Sequence, residues 1–432
     1  MFRKLTGRSE TTKNIATLVS GTAIAQAVAL LVSPLLTRMY SPEDFALFAL
    51  FSSIVAIIGV AATARYEMAI VLPKKEEKAE NILSLSLLFS IAAGLLTFLV
   101  IVIYDIALPV TDKNVYFNNW FYLAPPAVFL TGAYAAFNYW SSRQKTFLNN
   151  SVGRVATVVV NSGISIVCGF LVYTSGGLIL GLTAGLLIGF ILLAYKKMLP
   201  FSSFTQKVSW KGMKEVMIEY KNFAVVNTPH AFLDSFQNNG VVFVLSYYFF
   251  APIVGFYSLA FRMLKAPVGL IGSAFFQVTY QKMAAMKNEG KDVKPLILSV
   301  YKKVFIIGFP FFFVLFLFTP EIFSFVFGAQ WKEAGDIAQI MTPWLFMNFL
   351  VSPVSCTPLV YGKQKQAFVL TIVDSVLRFA SLVIGGIYED YILAFYLMTF
   401  FCSALLIFTM LWYYFIPNNN NLQEEEMITF KR

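Results

Sequence analysis

The chain reads as an all-α polytopic membrane protein, with twelve transmembrane helices in two six-helix lobes related by a parallel repeat. Three observations predict this. Of 432 residues, 58% are hydrophobic and 13% charged, and the mean hydropathy is +0.69; soluble domains carry roughly twice that charged fraction. Twelve apolar windows are long enough to cross a hydrocarbon core of about 30 Å, which takes about 20 helical residues. Nearly all Lys and Arg sit at the junctions on one side of those windows.

The windows of the first half fall at 15–36, 45–64, 81–104, 120–140, 155–173 and 178–195. The first follows Arg3, Lys4, Arg8 and Lys13, and Ala23-Ile24-Ala25 resembles a cleavage site. Its apolar run continues to Leu36, too long for an ordinary signal-peptide core, so it reads as a retained helix. The second half places windows at 223–249, 254–280, 296–318, 334–361, 366–387 and 392–416. The window at 334–361 is overlong and holds Pro343, Pro353 and Pro358, which predicts a kink or partial unwinding.

Numbering the spans one to twelve makes the junctions alternate sides. One side, including both ends of the chain, holds 27 of the 33 Lys and Arg. The opposite loops hold Arg38, Lys113 and Lys332, and three cations lie within spans. This asymmetry predicts cytoplasmic termini. It also argues against nucleic-acid binding, despite a net charge of +10, because such binders cluster cations on a water-facing module.

The longest internal loop divides the chain into a first lobe (1–195), a linker (196–221), a second lobe (222–416) and a tail (417–432). Within the linker, Trp210, Met213, Val216, Met217 and Tyr220 form a helical stripe amid Lys207, Lys211, Lys214 and Lys221. Two readings stand open: an amphipathic helix on the cytoplasmic lipid surface, or a simple tether. The lobes also resemble each other. "LTRMYSPEDFALFAL" at 36–50 aligns without gaps to "LSYYFFAPIVGFYSL" at 245–259. With six spans per half, this implies a parallel repeat about the membrane normal, an arrangement that places the substrate path between the lobes.

Charges inside hydrocarbon are costly and mark polar pathways. The seventh span carries "NTPHAFLDSFQNN" at 227–239, with His230 and Asp234 one turn apart and Gln237 and Asn238 nearby. Pro229 removes a backbone donor there. The face either glues helices together or lines a cavity; His230 is either a structural donor or a proton relay. On the eighth span Arg262 and Lys265 share a face, Arg262 about 12 Å below the outer end. Unless they snorkel to an interface, two such cations suit an anion, especially a phosphate, whose oxygens match the guanidinium fork. Asp374 and Arg378 on the eleventh span are one turn apart. They form either a mutually neutralising pair or a switch in which protonation of Asp374 frees Arg378. In the first half Gln26 and Asn161 are the clearest polar positions, and Arg65 and Glu67 sit where they can pair at the cytoplasmic surface. Gln26, Gln237 and Asn238 are candidate sugar contacts, and His230, Asp234 and Asp374 candidate ion-coupling groups.

No hydrolytic or phosphate-loop motif is present, so an enzyme is not expected. The three Cys lie in apolar stretches without ligand spacing, and neither a metal nor a cofactor is expected. Any driving ion would be H+ or Na+.

The stretch "GTAIAQAVALLVSPLLTRMYSPEDFALFALFSSIVAIIGVAATARYEMAIVLP" at 21–73 resembles the opening of Wzx-type oligosaccharide flippases. So do "YSLAFRMLKAPVGLIGSAFFQV" at 257–278 and "FGAQWKEAG" at 327–335. The resemblance implies a MATE-like fold of the multidrug/oligosaccharidyl-lipid/polysaccharide exporter superfamily. It implies transfer of an undecaprenyl-pyrophosphate-linked oligosaccharide across a bacterial inner membrane; with no ATP motif, the energy would come from an ion gradient, as in an antiporter, from the membrane potential, or from substrate supply and removal. The product would enter a surface polysaccharide such as the O-antigen of lipopolysaccharide, with a polymerase as partner. Arg262, Lys265 and Arg378 would then hold the pyrophosphate. Membrane lipid is the surroundings, and a monomer is the expected state. The alternatives are a cation-coupled multidrug exporter of the same superfamily and a membrane scaffold for polysaccharide assembly.

Overall fold

The computed structural model describes residues 2–107, 119–171, 174–198 and 208–430. Lys113 and Lys207 lie outside the described residues. All regular structure in these segments is helical. In chain order the α-helices are α1 (Phe2–Met39), α2 (Pro42–Ala61), α3 (Glu76–Ala107), α4 (Ala124–Arg143), α5 (Phe147–Phe170) and α6 (Thr174–Met198). There follow α7 (Trp210–Glu219), α8 (Thr228–Asn239), α9 (Val241–Tyr248), α10 (Ala251–Asn288), α11 (Lys294–Phe327), α12 (Lys332–Val351), α13 (Thr357–Val360), α14 (Gln364–Ile387) and α15 (Tyr391–Phe430).

Ten described helical segments are long and apolar enough to cross a membrane. The expected fourth and seventh spans fall outside that set for different reasons. Helix α4 has 20 residues but is less apolar, carrying Asn138, Ser141, Ser142 and Arg143 in its second half, and it buries a face of small residues. The seventh is polar and broken. A π-helical turn at Phe223–Asn227 leads into α8, and Gly240 separates α8 from α9. Pro229 sits in the first turn of α8, where its missing N–H costs no helical bond. The tenth span behaves as its prolines require. Helix α12 gives way to a tight turn at Ser352–Val354 and the single turn α13, with Pro353 and Pro358 at the starts of those pieces.

The chain forms two compact units, Met1–Phe243 and Val244–Arg432. Residues 222–243, which the sequence assigns to the second lobe, cluster instead with the first unit, where α8 packs on α2. In the first unit α3 packs on α4, α5 on α6, and α4 on both α2 and α6. The second unit repeats this scheme: α11 packs on α12, α14 on α15, and α12 on both α10 and α15.

The aligned corners show the same repeat in detail. Helix α1 ends at Met39 and α2 starts at Pro42; α9 ends at Tyr248 and α10 starts at Ala251, the aligned positions. Ser41 and Asp44 form a reciprocal cap, with the Asp44 amide donating to Ser41 Oγ at 3.2 Å and the Ser41 amide to Asp44 Oδ2 at 3.0 Å. Asp44 Oδ1 also accepts from the Ser175 amide at 2.7 Å, tying the first corner to the start of α6. The second corner uses rings instead: Phe249 meets Tyr391 at the start of α15 edge-on, with ring centres 6.4 Å apart.

The "FGAQWKEAG" stretch has a structural cause. Gly328 adopts φ 110°, a conformation that glycine tolerates without strain. Trp331 is fully buried, edge-on to Phe256. A Cβ on Gly335 would lie 2.5 Å from Pro320 Cα, so only glycine lets α12 approach α11 this closely.

Candidate functional site

Each unit carries a polar constellation within its spans, and each is described by itself. In the second unit four aromatic rings form a column. Phe395 stacks on Tyr257 at 5.7 Å, Tyr257 on Phe261 at 5.6 Å, and Phe261 on Trp344 at 6.1 Å, with interplanar angles of 14°, 14° and 8°. Tyr257 and Phe261 are one turn apart on α10, and Trp344 comes from α12, which packs on α10.

Two of the expected cations rest on this column. Lys265, one turn beyond Phe261, places Nζ 4.7 Å from the Phe261 ring centre. Arg378 of α14 places its guanidinium carbon 4.8 Å from the Trp344 ring centre. Such contacts contribute about 0.5–2 kcal/mol, more where water is excluded. Arg378 is also held by Asp374, Nη2 to Oδ2 at 2.6 Å, with only 7% and 16% of the two side chains exposed. The i, i+4 pair expected from the sequence therefore forms. Burying two charges is costly, and their attraction compensates only when the geometry is good. The Trp344 Nε1 is buried without a hydrogen-bond acceptor among the described residues.

Lys265 is exposed, and so is Arg262, which has no hydrogen bond or ion pair among the described residues. The three expected cations thus differ: Arg378 is neutralised by Asp374, Lys265 stands over a ring, and Arg262 is open.

In the first unit, α8 divides its polar residues between two faces. Ser235 Oγ donates to the Ala56 carbonyl of α2 at 3.1 Å, and Asn239 donates back to the Ser235 carbonyl at 2.9 Å. His230 and Asp234 point to a different side and are exposed; Gln237 and Asn238 are half-buried. Asn238 donates to the Asp234 carbonyl at 2.8 Å. The stripe read from the sequence is present, and Ser235 adds a hydrogen bond to α2.

A second cluster of the first unit has a main member that the sequence hides. The apolar pattern starts the fifth span at 155, which leaves Arg154 as a loop cation. Helix α5 begins at Phe147, so Arg154 stands about 10 Å along it. Its guanidinium donates to Thr22 Oγ1 of α1 in a short contact. The Tyr134 ring of α4 and Thr157 of α5 both border Gly189 of α6. Gln26 lies one turn beyond Thr22 on the same face, and its buried Oε1 has no hydrogen-bond partner among the described residues. Asn161 accepts from Ser165 at 3.4 Å and borders Gly181 and Gly185 of α6, which makes it part of the α5–α6 contact. The signal for Arg154 is the polar run "NNSVGR": its Asn and Ser suit a buried first turn as well as a loop.

After α2, Arg65 pairs with Glu67 at 3.4 Å as expected, but Glu67 is only 2% exposed and also accepts from Thr63 in a short contact. Burial pushes the Glu67 carboxyl up from its ordinary range, while the Thr63 hydrogen bond and Arg65 pull it back. Among the described residues, no group of three His, Cys, Asp or Glu converges as a metal-holding set.

Comparison with known proteins fits this anatomy. A family profile described as polysaccharide biosynthesis protein matches residues 35–336. The teichuronic acid biosynthesis protein TuaB of Bacillus subtilis (strain 168) is 22% identical over 158 residues, 37% of this chain; the match spans about a third, 32%, of that relative. Among solved structures, the lipid II flippase MurJ in an inward closed conformation aligns with a TM-score of 0.68 at 14% identity, covering 96% of this chain and 92% of that one. An inward-facing multidrug resistance MATE family transporter of the MOP superfamily aligns with a TM-score of 0.61 at 16% identity, covering 93% and 95%. The resemblance to Wzx-type members of the exporter superfamily is therefore borne out: this is a multi-pass membrane protein with the fold shared by MurJ and MATE, and it belongs to the polysaccharide biosynthesis protein family.

Proposed function

We propose that the chain is a flippase that carries a lipid-linked oligosaccharide, bearing a pyrophosphate, from the inner to the outer leaflet for surface polysaccharide assembly. The observation that carries this reading is the cation-bearing aromatic column of the second unit, with Arg262 beside it on α10. Such a substrate joins an anion to a sugar. Cations neutralise the anion, guanidinium best of all because its donors match the oxygen geometry. Flat rings suit the apolar faces of sugars and withdraw from water when covered.

In this reading Arg262 and Lys265 meet the pyrophosphate first. Arg378 joins them when Asp374 is protonated or takes a sodium ion, which couples movement to an ion gradient. His230 and Asp234 are further candidates for ion coupling, and Gln26, Gln237 and Asn238 for sugar contact. Arg154 adds a cation in the first unit. Alternating access in a monomer, a bacterial inner-membrane location with cytoplasmic termini, and delivery to a polymerase belong to the same proposal.

Gene deletion followed by analysis of lipid-linked intermediates tests it. The expected result is a pyrophosphate-linked sugar unit stalled in the inner leaflet, with loss of surface polymer. Replacing Arg262 with Ala at equal protein level is expected to reproduce the loss, and unchanged polymer would remove Arg262 from the mechanism. Drug sensitivity with normal polymer would transfer the protein to the multidrug exporters.

A further inference from the structure

Helix α7 is used twice. Its first face docks on the first unit. Val216 is fully buried in a cluster with Tyr66, Ile82, Phe137 and Trp140, and Met213 and Tyr220 pack against that cluster. The Ser209 amide donates to Asn81 Oδ1 of α3 at 3.1 Å, Tyr66 Oη donates to the Met217 carbonyl at 2.9 Å, and Lys78 pairs with Glu219 at 2.9 Å. Of the stripe read from the sequence, Met213, Val216 and Tyr220 are committed to protein, whereas Trp210 and Met217 are exposed.

The second face has no cover among the described residues. Trp210 is 72% and Ile218 59% exposed, with Met217 exposed beside them. At 3.6 residues per turn these three share an arc of about 120° with Lys211 and Lys214, and Lys221 extends it just past the helix end. All three lysines are exposed, and none has an acidic partner among the described residues. The acids of α7, Glu215 and Glu219, lie outside the arc. The docked face fixes the level of the helix: it sits at the end of the unit that carries Lys74, Arg143 and Lys145, which line a groove of about 540 Å³.

We infer that this second face of α7 binds the anionic headgroup layer of the surrounding bilayer, with Trp210, Met217 and Ile218 inserted and Lys211, Lys214 and Lys221 on the lipid phosphates. The charge pattern selects the partner. An apolar protein surface would leave three lysines unneutralised, whereas an interfacial helix places amphipathic aromatic and cationic side chains side by side. Nothing in this depends on the substrate proposed above.

The test uses the full chain, with Cys168, Cys356 and Cys402 replaced by Ser, reconstituted into bilayers of phosphatidylcholine alone or with about 30% phosphatidylglycerol. A spin label at Ile218→Cys reports oxygen against nickel-chelate accessibility, and one at Glu215→Cys serves as the reference. The expected result is a lipid-like ratio at 218, higher with phosphatidylglycerol, and a water-like ratio at 215. Changing Lys211, Lys214 and Lys221 together to Gln is expected to lower the 218 ratio at least about fivefold in the anionic bilayer. Molar salt should have the same direction of effect. Equal, water-like ratios at both positions would overturn the inference. A lipid-like ratio at 218 that ignores both phosphatidylglycerol and the lysines would overturn its anionic part. The lysines are exposed, so the Gln variant is expected to elute as the parent does in size exclusion. If it does not, the salt series on the parent chain decides between the same outcomes.

Discussion

The Asp374–Arg378 pair allows stability and transport to be separated. Asp374→Ala leaves a guanidinium that is about nine-tenths buried without its anion. Removing one partner of a buried pair costs about 3–5 kcal/mol. The Trp344 contact, about 2 kcal/mol, is already made in the parent and does not offset the loss. For a unit of this size each kcal/mol moves a melting midpoint by about 2–4 °C, so the midpoint should fall by about 6–20 °C. Arg378→Met is expected to cost less, since a lone carboxylate can take up a proton while a guanidinium cannot lose one. The double change Asp374→Leu with Arg378→Met removes both charges, and replacing a buried pair by apolar side chains is often neutral or stabilising. Its midpoint should return to within a few degrees of the parent. The assay is thermal size-exclusion of the detergent-solubilised protein, run beside surface-polymer measurement. If Arg378 serves the substrate, the double variant is stable and makes no polymer. Normal polymer from it would refute the functional role of the pair. An unchanged midpoint for Asp374→Ala would refute the energetic argument itself.

Gly335→Ala should destabilise by about 1–3 kcal/mol, because its Cβ would fall 2.5 Å from Pro320 Cα. Gly163→Ala, with open space around it, should stabilise α5 by up to about 1 kcal/mol; midpoints of the two variants check both. Arg154→Gln should lose surface polymer and about 1.5–3 kcal/mol of stability with the charged hydrogen bond to Thr22, while Arg154→Lys retains part of each. For Glu67 the folded chain holds a proton that the unfolded chain has already released, so stability falls as pH rises from the unfolded value through the folded one and stays lower above. Glu67→Gln should therefore raise the midpoint at pH 8, and the gain should vanish below about pH 4, where Glu67 is protonated in both states. A gain that persists at low pH would contradict this.

What can be read ahead of the structure is whatever the bilayer dictates locally. Ten of the spans, the corner after Met39 and its counterpart after Tyr248, and the unwinding around Pro353 follow from length, caps and proline chemistry, while several helices run past their apolar windows, as α5 does from Phe147. The Asp374–Arg378 pair is legible for the same reason, since helical spacing alone brings i and i+4 together. The ring partners of Arg378 and Lys265 are not. Trp344 and Phe261 lie on different helices, and nothing in a window of 20 residues says which rings will stack. Arg154 is misplaced by hydropathy because the helix start that decides its depth is fixed by packing against α1 and α4.

The sequence by itself determined the class of the protein: apolar length sets which segments can leave water. Tertiary structure alone decided which of the costly charges are satisfied. Among the described residues Arg378 is neutralised, Arg262 is open, and α7 commits one face to protein and keeps another uncovered. The physical reason is that a charge's cost depends on what surrounds it in space, and those neighbours come from helices far apart in the chain.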